Sequence, residues 1–119
     1  MAEIVELSRL FSFEASHELK WYQGKCNRLH GHSYKLQVTI SGKLNENGIL
    51  MDFHEIKSIV NSVIIDILDH SYLNDIIENP TAENTIIWIW NKLNDKLPLK
   101  ELILWETYNS FVKYSGNQE

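Results

Sequence analysis

The chain has 119 residues, 44% of them hydrophobic, and a net charge of −5, which fits one domain spanning 1–119 with its own core and excludes a disordered chain. The acidic balance argues against sequence-independent nucleic-acid binding, which depends on Lys and Arg neutralising phosphates. It leaves an anionic small substrate open, because a bound metal supplies local positive charge.

Residues 4–17 read as a strand: Val5, Leu7, Phe11, Phe13 and Ala15 alternate with Glu6, Ser8, Ser12, Glu14 and Ser16, Arg9 interrupts the apolar face and His17 continues it. Residues 18–31 hold Gly24, Cys26, Asn27 and Gly31 without a period. A structureless stretch of about 14 residues is long for a compact domain, and such loops are often functional. Residues 32–42 are the clearest strand, with Tyr34, Leu36, Val38 and Ile40 on one face, and Asn45-Glu46-Asn47-Gly48 makes a turn. A helix is expected from Asp52, which caps free N–H groups while Glu55 reaches back. Ile56, Ile59, Val60, Val63, Ile64, Ile67 and Leu68 form its apolar stripe.

Residues 69–80 read as a second loop ending at Pro80. Thr81 caps a second helix with Ala82, Ile86, Ile89, Trp90, Leu93 and Leu97 on one side, and Pro98 stops it. Residues 101–107 and 111–115 read as strands joined by a tight hairpin at Tyr108-Asn109-Ser110. The order strand, strand, helix, helix, strand, strand predicts an α+β fold, an antiparallel sheet with helices on one face.

Cys26 is the one cysteine, so an internal disulfide is excluded and a reducing, cytoplasmic setting is expected. The N-terminus lacks a basic segment followed by an apolar run, so no signal peptide is expected. No apolar stretch approaches the length of a membrane span.

Strand alternation puts His30 and His32 on one face, and His17 ends the first strand on its apolar face. If these strands pair, three imidazoles converge. Three neutral imidazoles make a good zinc site with a fourth position open for water or substrate, whereas closed structural sites are rich in Cys. The alternative is three ordinary histidines; a His-x-His pair alone is a weak signal, and His17 on the matching face strengthens it. Cys26, four residues before His30, reads equally as a fourth ligand, a base favoured by a nearby cation, or an inert thiol. Asp69-His70 offers a carboxylate that orients an imidazole, although on spacing alone a solvated helix end is the readier reading. His54 reads as surface. Glu106 shares a strand face with Leu102 and Leu104, so it either binds a ligand or pairs with a base such as Lys113. Trp21, Trp88, Trp90 and Trp105 read as core or interface.

Phe13-Glu14-Ala15-Ser16-His17, Cys26-Asn27-Arg28-Leu29-His30-Gly31-His32-Ser33-Tyr34, Leu68-Asp69-His70, Pro80-Thr81-Ala82-Glu83-Asn84 and Trp105-Glu106-Thr107 together resemble the 6-pyruvoyltetrahydropterin and 6-carboxytetrahydropterin synthase family, in order and over nearly the whole chain. The resemblance implies the tunnelling fold: a four-stranded antiparallel sheet with two helices on one side. It also implies trimers whose sheets form a barrel, stacked in pairs into a homohexamer with active sites between subunits. By resemblance His17, His30 and His32 hold Zn2+, Cys26 is the catalytic thiol, Asp69 and His70 form its relay, and Glu106 and Thr81 hold the pterin.

The short interval from Cys26 to His30, with Met51-Asp52-Phe53 and Tyr72-Leu73-Asn74-Asp75, is similar to the carboxy branch. That branch takes 7,8-dihydroneopterin triphosphate to 6-carboxy-5,6,7,8-tetrahydropterin, acetaldehyde and triphosphate, on the way to queuosine and other 7-deazapurines. The rivals are a pyruvoyl synthase that eliminates triphosphate without C–C cleavage, a relative that cleaves the dihydroneopterin side chain, and a non-catalytic zinc-binding oligomer. No nicotinamide is expected, since the pterin ring is reduced as its side chain is oxidised; nor is a nucleic-acid or membrane partner.

Overall fold

The computed structural model describes residues 3–24 and 27–117. β1 (Ile4–His17) and β2 (His30–Lys43) pair antiparallel over their whole length, from Ile4 opposite Lys43 to His17 opposite His30. Strict alternation specifies this register, because a one-residue slip would turn Phe11, Phe13 and Ala15 out to water. A two-residue β3 (Ser71–Tyr72) lies parallel to β1 on its outer side. β4 (Leu99–Thr107) pairs antiparallel with β2, and β5 (Ser110–Tyr114) closes the other edge. The sheet order is β3-β1-β2-β4-β5.

The expected four-stranded antiparallel sheet is therefore corrected to a mostly antiparallel sheet of five. The additional strand falls inside 69–80, which the sequence alone reads as loop. Two residues cannot show a period; register with Ala15 and Ser16 makes them a strand.

Asp52 caps α1 (Phe53–Val60), its carboxylate accepting the His54 N–H at 2.8 Å. The helix runs on through a π turn (Asn61–Ile65) into a short α2 (Asp66–Leu68). Ile56, Val60, Ile64 and Leu68 are all buried, each four residues after the last. In a plain α-helix each such step overshoots a full turn by about 40°. The wider π turn takes back that drift and keeps the four on one face. Ile67, expected in the stripe, is 44% exposed as a result. α3 (Ala82–Leu93) starts at Thr81, whose hydroxyl accepts the Asn84 N–H at 3.0 Å. Its Ile86, Ile89, Trp90 and Leu93 are buried.

These helical faces meet one face of the sheet: Phe11, Phe13 and Ala15 of β1, Tyr34, Leu36, Val38 and Ile40 of β2, Leu102 and Leu104 of β4. Phe13 and Tyr34 stack at 4.9 Å between centroids. Burying each large apolar side chain contributes about 1.5–3 kcal/mol, so the histidine-bearing end of β1 and β2 is anchored by a rigid core. No helix among the described residues is long and apolar enough to cross a membrane.

Candidate active site

The core face of β1 and β2 changes character at one end of the sheet, where Phe13, Ala15 and Tyr34 give way to His17, His30 and His32. The ligand atoms of these three histidines all lie within 4.8 Å of one another. His17 Nε2 and His30 Nε2 are 3.0 Å apart. His17 is 1% exposed, and its Nδ1 lies 2.8 Å from the Pro80 carbonyl. His30 Nδ1 lies 2.7 Å from the Arg28 carbonyl. A carbonyl only accepts, so each Nδ1 is the protonated nitrogen and each Nε2 of the neutral ring presents its lone pair. Facing lone pairs with carbonyl-held ring N–H groups behind them are what a bound cation needs.

His32 Nε2 is buried and, among the described residues, has no hydrogen-bond partner. Such a group is costly unless something fills its lone pair. Burial holds the His32 pKa below its ordinary value; Glu106 pulls it back up, and His17 and His30 push it down again. The ring is thus neutral near pH 7, the form that binds metal. The three residues present fit a metal ion.

Asp69 and His70 come together in spite of adjacency. α2 ends at Leu68, Asp69 is extended, and His70 takes φ 61°, in the left-handed region. That conformation costs a non-glycine residue roughly 1 kcal/mol. Two bonds to one residue of β1 hold it: Asp69 Oδ1 accepts the Glu14 N–H at 2.8 Å, and the His70 N–H donates to the Glu14 carbonyl at 2.6 Å. Asp69 Oδ2 then sits 3.1 Å from His70 Nδ1. The same β1 segment carries Glu14 and His17, so dyad and histidine cluster share one rigid support. A cavity of about 520 Å³ has Gly31, His32 and Ser33 of β2 on one side and His70, Ser71 and Tyr72 on the other, with Glu14, Ala15 and Ser16 of β1 between. Glu14 was not singled out from sequence; its part is played by its backbone, which leaves no mark in the residue type.

Glu106 Oε1 lies 3.9 Å from His32 Nε2. Both line a second cavity of about 460 Å³ with Lys35, Trp105, Thr107 and Tyr108. Burial raises the Tyr34 hydroxyl pKa well above its usual value, and the Glu106 carboxylate adds to the rise. Lys113, the alternative partner for Glu106, instead lies 3.9 Å from Glu101. Strand parity is the reason: Lys113 pairs opposite Ile103, on the face shared with Glu101 and not with Glu106.

Thr81 is half-buried and serves as the α3 cap; it follows Pro80, whose carbonyl holds His17. It lines neither cavity. Cys26 lies outside the described residues. His54 is exposed, as expected. Trp90 is buried, but Trp21 is 61% exposed, and its indole N–H donates to Asn79 Oδ1 at 2.6 Å.

The sequence model of the family described as 6-pyruvoyl tetrahydropterin synthase matches residues 6–117. A 6-carboxy-5,6,7,8-tetrahydropterin synthase of Haemophilus influenzae is 36% identical over 137 aligned positions, covering 92% of this chain and 97% of that one. A dihydroneopterin monophosphate aldolase of Pyrococcus furiosus is 40% identical over 99 positions, covering 80% and 83%. The solved structure of Caenorhabditis elegans 6-pyruvoyl tetrahydropterin synthase matches with a TM-score of 0.88 at 28% identity, over 98% of both chains.

Proposed function

The chain belongs to the 6-pyruvoyl tetrahydropterin synthase family, an enzyme family acting on pterins, and we propose that it is a zinc-dependent 6-carboxytetrahydropterin synthase. The reaction takes 7,8-dihydroneopterin triphosphate and water to 6-carboxy-5,6,7,8-tetrahydropterin, acetaldehyde and triphosphate, a cytoplasmic step toward 7-deazapurines such as queuosine. One observation carries the reading: three histidine nitrogens within 4.8 Å of one another, with His70, which Asp69 contacts at 3.1 Å, lining a cavity that His32 also lines. The branch is chosen on the short interval from Cys26 to His30 and on Met51-Asp52-Phe53 and Tyr72-Leu73-Asn74-Asp75, and the Haemophilus relative supports it.

In this reading His17, His30 and His32 hold the zinc, which supplies Lewis-acid polarisation of the substrate's side-chain hydroxyls. Cys26, as thiolate, takes the proton from the adjacent side-chain carbon. His70 is the second acid–base group; Asp69 fixes its tautomer and stabilises its protonated form. Glu106 accepts the paired N–H donors on one edge of the pterin, and Thr81 steadies the ring. The sheet ends in a two-residue β3 on one side and β5 on the other. Open edges of this kind are stabilised by pairing with further copies, and the His70 side chain is 79% exposed. Both support a homohexamer, a dimer of trimers with active sites between subunits.

The test is turnover of 7,8-dihydroneopterin triphosphate by stripped and zinc-restored protein. Zinc-dependent release of acetaldehyde and triphosphate in equal amounts is expected. Triphosphate without acetaldehyde would assign the pyruvoyl reaction instead, and no consumption at all would leave a non-catalytic zinc protein.

A further inference from the structure

β1 and β3 run parallel with Ala15 opposite Ser71 and Ser16 opposite Tyr72. Continued by two residues, the same register would set Glu18 opposite Asn74. The backbone does not continue it, because the chain tightens into a 3-10 turn at Leu73–Asp75. The Asn74 side chain takes over: its Oδ1 accepts the Glu18 N–H at 2.9 Å, and its Nδ2 donates to the Glu18 carbonyl at 2.9 Å. A carboxamide carries one acceptor and a donor group in the arrangement of a peptide unit, so Asn74 acts as one more residue of the missing strand. His17 lies between the last backbone pair at Ser16 and this side-chain pair at Glu18. Its ring is fixed from the same segment, by the Pro80 carbonyl at 2.8 Å. Trp21 to Asn79 Oδ1 adds a further tie.

We propose that Asn74 is a positioning residue of the metal site: it locks the backbone on the far side of His17 and so aims His17 Nε2 at His30 and His32. Asn74 is not itself a ligand. The proposal rests on the reading that the three histidines bind a metal. Outer-shell groups that orient a ligand are worth about 10–100-fold in metal affinity.

The full chain, stripped of metal, is titrated with Co2+ and with Zn2+ against a competing chelator, in the wild type and in Asn74→Ala, Asn74→Asp and Asn45→Ala. Asn74→Asp keeps the acceptor for the Glu18 N–H and loses the donor. Asn45→Ala is the matched control: Asn45 Oδ1 accepts the Asn47 N–H at 2.8 Å in the turn at the opposite end of β2. Asn74→Ala should bind both metals about 10–100-fold more weakly and change the visible absorption of the Co2+ form. Asn74→Asp should weaken binding at least as much, because a carboxylate oxygen then faces the Glu18 carbonyl with no proton between them, and Asn45→Ala should bind as the wild type does. Unchanged affinity and spectrum in both Asn74 variants would overturn the proposal. So would an equal loss in Asn45→Ala, which would make the effect one of general stability. A wild type that binds neither metal would sink the metal reading first, and the proposal with it.

Discussion

Replacing His32 with leucine separates the metal from the fold. The side chain is 17% exposed, its Nε2 is buried and has no hydrogen-bond partner among the described residues, and its ring packs on His17, His30 and Tyr34. Leucine fills a similar volume and removes a buried nitrogen whose unmet demand is worth about 1–3 kcal/mol. The metal-free variant should therefore be as stable as the metal-free wild type, or more stable by about 1 kcal/mol once imperfect packing is set against that gain. With zinc the order reverses. At a free zinc concentration 100 times its Kd, the wild type gains about 2.7 kcal/mol. If losing one of three ligands weakens binding by roughly a thousandfold, the same concentration stabilises the variant by less than about 0.1 kcal/mol. For a domain of this size the wild-type gain corresponds to a rise in Tm of about 10 °C. Thermal melts of both proteins, with chelator and with buffered zinc, read all four numbers. An equal zinc-induced rise in the two proteins would refute the assignment of His32 as a ligand. A severe loss of stability in the metal-free variant would show that the ring is a structural element of the core.

Three other outcomes follow from the same account. Cys26→Ala should keep its zinc and fold yet lose at least about a hundredfold in turnover, the scale of a positioned acid–base group; zinc loss on elemental analysis would instead make Cys26 a ligand. Glu106→Gln should bind substrate much more weakly with unchanged zinc content and equal or higher Tm, because no Lys or Arg among the described residues stands within ion-pair distance of it; calorimetric titration with a dihydropterin checks this, and intact affinity in a destabilised protein would contradict it. Light scattering at micromolar concentration should return a trimer or hexamer, and a monomer would contradict active sites shared between subunits.

Much of the frame was legible because alternation is a strong signal where one sheet face is buried. Phe11, Phe13, Ala15 and His17 on β1, and His30, His32, Tyr34, Leu36 and Val38 on β2, put three histidines on the core face, and pairing of the strands brought them together. The Asp69–His70 contact was harder to foresee. Neighbouring side chains in regular structure point apart, and it is the left-handed turn at His70, tied to the Glu14 backbone, that makes them meet. Such ties depend on main-chain groups, which every residue carries. The same holds for β3 and for the Asn74 clamp, both defined by register with β1. The π turn was hidden because apolar residues at 56, 60, 64 and 68 fit a helix of either pitch over a few turns. The alternative of a Glu106–Lys113 pair is removed by strand parity, which neighbourhood in sequence does not show; Lys113 stands over Glu101. Cys26 stays a reading of the sequence and of its resemblance, since it lies outside the described residues.

The central claim is tested most directly by the mass of the pterin made from 7,8-dihydroneopterin triphosphate by the zinc-loaded protein under anaerobic conditions. The account predicts 6-carboxy-5,6,7,8-tetrahydropterin, with two side-chain carbons appearing as acetaldehyde. A tetrahydropterin that keeps all three side-chain carbons, or a dihydropterin cut to a hydroxymethyl group, would contradict it.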